Sequence, residues 1–265
     1  MPHRFAFALR RATLALALVA GHQTAQASVV IGSTRVIYHA ADAETTVRLA
    51  NDGNLPALTQ IWIDHGDPAA SPASIDVPFV VTPPIARIDP GKGQTLRIVH
   101  AGEPLPRERE SVFYLNVLEV PPKPAPGTAD ANLLQMAFRS RIKLFFRPTD
   151  LKGDVRDAPA RLTWHAARVN GALAVEAINP TPYHVTISEI SVAADNESAT
   201  NEKGGMLAPG GTLRFPLHGL HGLHGSHGSH GHARIGAGTR VRFGVINDYG
   251  GTSYIEATLS QAAAE

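Results

Sequence analysis

Two stretches of this 265-residue chain have residue types and spacing that could do chemistry at a side chain. The first is His218–His232 (HGLHGLHGSHGSHGH), which gathers His218, His221, His224, His227, His230 and His232 within fifteen residues. Neutral imidazole binds zinc, nickel or copper, so such a tract can take up a metal ion. A fixed centre needs defined ligand geometry with a second layer of hydrogen bonds, and this glycine-punctuated repeat supplies neither. The tract reads as a loop inserted in a hairpin, with metal binding as the competing reading and no confident ligand among the six. The second stretch is Asp64-His65-Gly66-Asp67, a histidine flanked by acids. Adjacent residues of a strand point to opposite faces, so this reads as a turn rather than an acid–base site.

Nothing else points to catalysis. The chain has no G-x-S-x-G, H-E-x-x-H or P-loop pattern. With no cysteine it has no thiol nucleophile and no thiolate metal ligand. The expectation is a protein that is not an enzyme and needs no cofactor. A formal net charge of +1 is near neutral and does not argue for nucleic acid or an anionic membrane as partner, so neither is expected. Arg4, Arg10 and Arg11, the apolar run Ala12–Gly21 and Ala25-Gln26-Ala27 read together as a signal peptide over residues 1–27, cleaved after Ala27. No other segment is long and apolar enough to span a bilayer, so no membrane insertion is expected.

The elements that would position side chains are short and alternate apolar with polar. Thr46–Leu49, Leu58–Ile63, Gln94–Val99 and Val112–Val120 have the period of strands, separated by turn sequences such as Asn51-Asp52-Gly53-Asn54 and Asp89-Pro90-Gly91. Arg161–His165, Ala172–Ile178, His184–Val192, Thr212–Phe215, Arg240–Ile246 and Ser253–Leu259 continue the pattern, and no long stretch has a period of 3.6. The spacing predicts an all-β chain of two sandwich domains, residues 28–148 and 149–265, with a boundary near 148–153. Trp62 and Trp164 read as core aromatics, one for each domain. Pro121–Ala131 (PPKPAPGTADA) must be a loop, since proline removes ladder donors. Immediately after it, Leu134, Met136 and Phe138 alternate with Gln135, Ala137 and Arg139, which puts three large apolar side chains on one strand face.

Several longer segments carry a resemblance. Glu110–Pro122 (ESVFYLNVLEVPP), Thr82–Gly91 (TPPIARIDPG), Asn179–Tyr183 (NPTPY) and Ile246–Gly251 (INDYGG) resemble segments of the periplasmic pilus chaperones, the PapD-like family. The matches run through both halves, and the histidine tract is the main departure. The resemblance implies two immunoglobulin-like β-sandwich domains in an L- or boomerang-shaped arrangement. It also implies a periplasmic chaperone that binds pilin subunits, completes their sandwich with a donated strand, and hands them to an outer-membrane usher.

The resemblance also assigns roles. Arg35 and Lys143 would point into the cleft between domains and anchor the C-terminal carboxylate of a pilin, a task suited to a guanidinium and an ammonium. Leu134, Met136 and Phe138 would be the donor strand. Glu110, Arg147 and Asp248 would form a charge network fixing the angle between domains. Parity sets a condition: Lys143 lies five residues beyond Phe138, so a regular strand puts the two on opposite faces. A bulge, or use of both faces at different heights, must reconcile their roles. An exposed donor edge also leads to the expectation of a self-capping dimer of the free protein. The competing functions are an adhesive tandem of immunoglobulin-like domains, and a periplasmic metal-binding protein that uses the histidine tract.

Overall fold

The computed structural model describes residues 28–120, 136–194, 197–219 and 235–260. The signal segment, the 121–131 loop, Leu134 and the histidines from His221 to His232 lie outside the described residues.

Among the described residues the first half builds nine strands: β1 (Val29–Ile31), β2 (Arg35–His39), β3 (Thr45–Asn51), β4 (Ala57–Asp64), β5 (Phe79–Thr82), β6 (Ile85–Ile88), β7 (Gly93–His100), β8 (Ser111–Val120) and β9 (Phe138–Arg147). They form two sheets, ordered β1-β3-β7-β5 and β2-β9-β8-β4-β6. Alternation in the sequence becomes alternation in burial. Leu96 and Ile98 of β7 are buried while Thr95 and Arg97 face solvent. The inner faces meet in one cluster that includes Tyr38, Leu49, Ile61, Ile63, Leu96, Ile98, Phe113, Leu115, Leu144 and Phe146. Each such side chain contributes about 1.5–3 kcal/mol by leaving water, enough in sum to order a domain without disulfides.

The second half adds β10 (Thr163–Val169), β11 (Ala172–Ile178), β12 (Val185–Ala194), β13 (Glu197–Asn201), β14 (Gly205–Leu207), β15 (Thr212–Pro216), β16 (Arg240–Ile246) and β17 (Thr252–Ser260). Their order is β13-β12-β16-β17-β10-β11-β15, with β14 against β12. A second cluster, around Trp164, Val175, Ile187, Ile190, Phe215, Val241 and Phe243, is the core of this domain. Two separate cores make two domains, and the strand runs read from the sequence coincide with β3, β4, β7, β8, β11, β15, β16 and β17 to within a few residues.

Trp62 departs from expectation. Trp164 is central to its core, but Trp62 lies on the outer face of its sheet, opposite in parity to Ile61 and Ile63. The Arg139 guanidinium covers it, 4.9 Å from the ring. A cation over the indole face hides the ring without placing it in the core.

β9 is one continuous antiparallel ladder with β8, from Phe138↔Glu119 to Phe146↔Ser111, with no register shift. Ile142, Leu144 and Phe146 pack on the core while Lys143, Phe145 and Arg147 take the other face. The parity condition is met by using both faces of a regular strand, without a bulge.

Candidate functional site

β2 runs parallel to β9, in a register that sets Arg35 beside Lys143 and His39 beside Arg147. Neighbouring strands are about 4.8 Å apart. Two cations from distant segments of the chain therefore lie side by side on the face turned to the second domain. Arg35 Nη1 donates to the carbonyl of Ile246 at 2.9 Å, and its guanidinium lies 5.8 Å from the Phe145 ring. Its Nε is buried without a hydrogen-bond partner among the described residues. Lys143 Nζ reaches the Thr186 hydroxyl at 3.4 Å. Among the described residues neither cation makes an ion pair with a carboxylate. Burial pushes the Arg35 guanidinium below its ordinary range, with Asp248 and Glu110 opposing. Burial also lowers the Lys143 ammonium, and the neighbouring Arg35 charge lowers it further. A pair of half-buried like charges is a site that gains by taking up an anion.

The residues of the predicted charge network come together next to it. Arg147 Nε donates to Glu110 Oε1 at 2.6 Å, while Nη1 and Nη2 reach Asp248 Oδ2 and Oδ1 at 2.6 and 3.0 Å. The other Glu110 oxygen accepts the backbone amide of His184 at 2.8 Å, with His184 Nδ1 at 3.3 Å. Glu110 and Arg147 belong to the first domain, and His184 and Asp248 to the second. Burial opposes the Arg147 charge, but Asp248 and Glu110 outweigh it and hold the guanidinium protonated above its ordinary range. Asp248 is placed by a tight hairpin in which Asn247 Oδ1 accepts the amides of Tyr249 and Gly251. Gly250 has φ +84°, and a side chain there would run into Thr34, next to Arg35. Glycine lets the hairpin close against the first domain. The cleft so formed has a volume of about 530 Å³ and is lined by Arg35, Phe145, Arg147, His184, Asp248 and Tyr249, among others.

Two of the three expected donor-strand residues, Met136 and Phe138, fall within the described residues. Leu134 lies outside the described residues. Met136 precedes β9 and is 44% exposed, and Phe138, half-buried, is the first residue of the strand. The ladder begins at Phe138 because its partner β8 ends at Val120, followed by Pro121 and Pro122, which offer no ladder amides. On the other edge β2 covers only residues 143–147, so residues 138–142 have one strand neighbour among the described residues.

Of the six histidines only His218 is described, exposed and bridged by backbone hydrogen bonds to Thr200. No group of metal-ligating residues occurs among the described residues. Asp64-His65-Gly66-Asp67 is a turn, with Asp64 Oδ1 accepting the Gly66 amide at 2.6 Å. Nothing in the sequence marks Asp64 as a buried ion-pair hub as well. Its partners, Asn116 and Arg141, come from distant strands.

Fold and site together define a two-domain, boomerang-shaped pair of immunoglobulin-like sandwiches with a cleft at the bend that Arg35 and Arg147 line. Residues 28–152 match the pili and flagellar-assembly chaperone PapD N-terminal domain, and residues 157–257 match the pili assembly chaperone PapD C-terminal domain. The chain belongs to this family, the fimbrial chaperones of the chaperone–usher pathway. It is 43% identical over 240 residues to the chaperone protein FimB/FhaD of Bordetella pertussis, covering 89% of this chain and 90% of that one. It is also 43% identical to the probable fimbrial chaperone YadV of Escherichia coli K12, over 85% of this chain and 87% of the relative. The YadV crystal structure superposes with a TM-score of 0.71 at 38% identity, over 88% of this chain and 100% of that one. The SafB chaperone of Salmonella enterica, solved in complex with the SafA pilin, gives 0.68 at 27% identity, over 89% and 98%.

Proposed function

We propose that this protein is a periplasmic chaperone that captures pilin subunits by their C-terminal carboxylate at Arg35 and Lys143 and passes them to an outer-membrane usher. The observation that carries the reading is the register pairing of these two half-buried cations with no carboxylate of their own among the described residues. A terminal carboxylate has the charge and the two acceptor oxygens to satisfy both, including the orphaned Arg35 Nε. The complex of the related SafB with SafA supports a pilin as the class of partner.

Once anchored, the subunit would lie along the uncovered edge of β9. Strand addition supplies main-chain hydrogen bonds at such an edge, and completion of a pilin by a chaperone strand is a general example of that binding mode. Phe138 and Met136, with Leu134 before them, would then fill the groove of the subunit. Release would follow when a better-fitting strand replaces them, a difference of affinities that needs no nucleotide.

Export is part of the proposal. The Ser28 amide donates to Glu119 Oε2 at 3.0 Å, and the Ser28 hydroxyl bonds to Oε1. Cleavage after Ala27 would turn that amide into an ammonium already seated on a carboxylate. The proposed domain boundary falls at residues 148–153.

The test is expression of the tagged full chain in a bacterial periplasm, with mass spectrometry of the proteins that co-purify. Small pilin-like proteins recovered with wild type, and lost with folded Arg35→Ala and Lys143→Ala variants, support the reading. Equal recovery with those variants overturns the anchor. The same spectra report whether the exported protein begins at Ser28.

A further inference from the structure

The ten residues of β9 are supported unequally. β8 runs beside them from Phe138 to Phe146, but β2 reaches only residues 143–147. The half with one strand neighbour among the described residues, 138–142, is the half that a subunit would pair with. A strand held on one side opens locally at low free energy, and a binding edge that frays must be re-ordered each time a partner arrives.

Both long polar side chains of this half turn back onto the sheet. Arg141 lays its fork on Asp64, Nε to Oδ2 at 3.1 Å and Nη2 to Oδ1 at 2.6 Å, with its guanidinium 3.7 Å from the Tyr114 ring centre. Arg139 donates from Nε and Nη2 to Asn116 Oδ1, at 2.9 and 2.7 Å, and from Nη1 to the Pro68 carbonyl at 2.5 Å. Asn116 Nδ2 closes the circuit on Asp64 Oδ2 at 2.7 Å. One carboxylate on β4, 1% exposed, thus holds two arginines of β9 directly and through an asparagine of β8. Burial by itself would raise the Asp64 carboxyl, but Arg141, Asn116 and the Gly66 amide outweigh it and keep the group below the ordinary carboxylate range.

A buried ion cluster adds little net stability compared with apolar residues of the same volume, because desolvation cancels most of the attraction. What a fully satisfied cluster does fix is geometry. Here it bolts alternate residues, 139 and 141, to the two strands behind them along the length that β2 leaves uncovered.

We infer that Asp64 is a positioning residue for subunit capture: acting through Arg141 and Asn116, it keeps the uncovered half of β9 extended, so the edge is ordered before a subunit arrives. This rests on the capture reading above, but its first test needs no subunit. In the free full-length protein, Asp64→Asn removes the charge while keeping the shape. Amide hydrogen exchange within 138–142 should speed up about tenfold, while exchange in β16, in the other domain, stays as in wild type. In the capture assay, association with the co-purifying subunit should slow by a similar factor, and affinity for a free peptide carrying the subunit's C-terminus, which reads the anchor alone, should not change.

Unchanged exchange within 138–142 overturns the inference, and so does an increase spread evenly over β3, β7 and β9, which marks a structural role only. If Asp64→Asn does not fold, Arg141→Lys keeps the charge but loses the fork and the ring stack, and the same local acceleration is expected. Arg35→Ala runs alongside. If it captures subunits as well as wild type, the capture reading fails, while the exchange data still decide whether Asp64 orders β9.

Discussion

Arg147 and Asp248 meet across the domain junction in a two-point ion pair, with Nη1–Oδ2 at 2.6 Å and Nη2–Oδ1 at 3.0 Å. The arginine ends a strand of the first domain and the aspartate sits in a glycine-closed hairpin of the second. The pair fixes direction as well as distance, because a guanidinium and a carboxylate that share two bonds must be coplanar.

Removing the arginine should therefore loosen the bend. Arg147→Ala leaves Glu110, 3% exposed, with an uncompensated charge. Losing one partner of a buried pair costs about 3–5 kcal/mol. Thermal unfolding should fall accordingly. Asp248→Asn, which touches the more exposed partner, should cost about 1 kcal/mol. Solution scattering should record a wider spread of interdomain angles for both variants, and unchanged scattering with Arg147→Ala would separate the network from the angle.

The anchor should read a charge rather than a sequence. A peptide bearing the C-terminus of a captured subunit is expected to bind wild type at least tenfold more tightly with a free carboxylate than with an amidated end. That is about 1.4 kcal/mol, modest for a charge-assisted bond. The two peptides should bind Arg35→Ala equally. Calorimetric titration measures both, and a preference that survives in Arg35→Ala would place carboxylate recognition elsewhere.

Lys143 gives the site a pH dependence of definite sign. Its ammonium is lowered in the free fold by burial and by Arg35. In that window the unfolded chain holds more protons than the native one, so this group makes the free protein more stable as pH rises toward the ordinary lysine value of about 10.4. Binding runs the other way. A bound carboxylate raises Lys143, so the complex takes up a proton and affinity should fall as pH rises through the depressed free-state value. Lys143→Met removes the titrating group and should abolish the fall. Peptide affinity measured from neutrality upward checks both statements.

The histidine tract should be dispensable for capture. His218 is tied to Thr200 by two backbone bonds of 2.8 Å and should be kept. Deleting residues 221–232 is expected to leave the melting temperature and subunit recovery near wild type, with loss of any zinc or nickel uptake. Loss of capture on deletion would favour the metal-binding reading.

The alternation of apolar and polar residues is enough to place most of the strands and to predict two sandwiches. That pattern is local: side-chain direction along a strand depends only on parity. Resemblance singles out Arg35, Lys143, Glu110, Arg147 and Asp248; the fold brings Arg35, Glu110, Arg147 and Asp248 to one cleft and sets Lys143 beside Arg35. How one strand, β9, comes to face both the core and the second domain is not legible in the sequence. That needs the register of β9, which puts Ile142, Leu144 and Phe146 on the core and Lys143, Phe145 and Arg147 on the face turned to the second domain.

Asp64 marks the limit of the sequence. In the chain it is the start of a turn, and the Gly66 amide on its carboxylate agrees with that. Its burial under Arg141 and Asn116 depends on three strands meeting in one register, with Asp64 opposite Tyr114 and Asn116 opposite both Trp62 and Arg141. Trp62 departs from a core position for the same reason, since only that register puts Arg139 over its ring. The sequence by itself determined which residues alternate and which carry charge. The tertiary structure decided which charges are paired and which are left open, because pairing depends on distances between segments far apart along the chain.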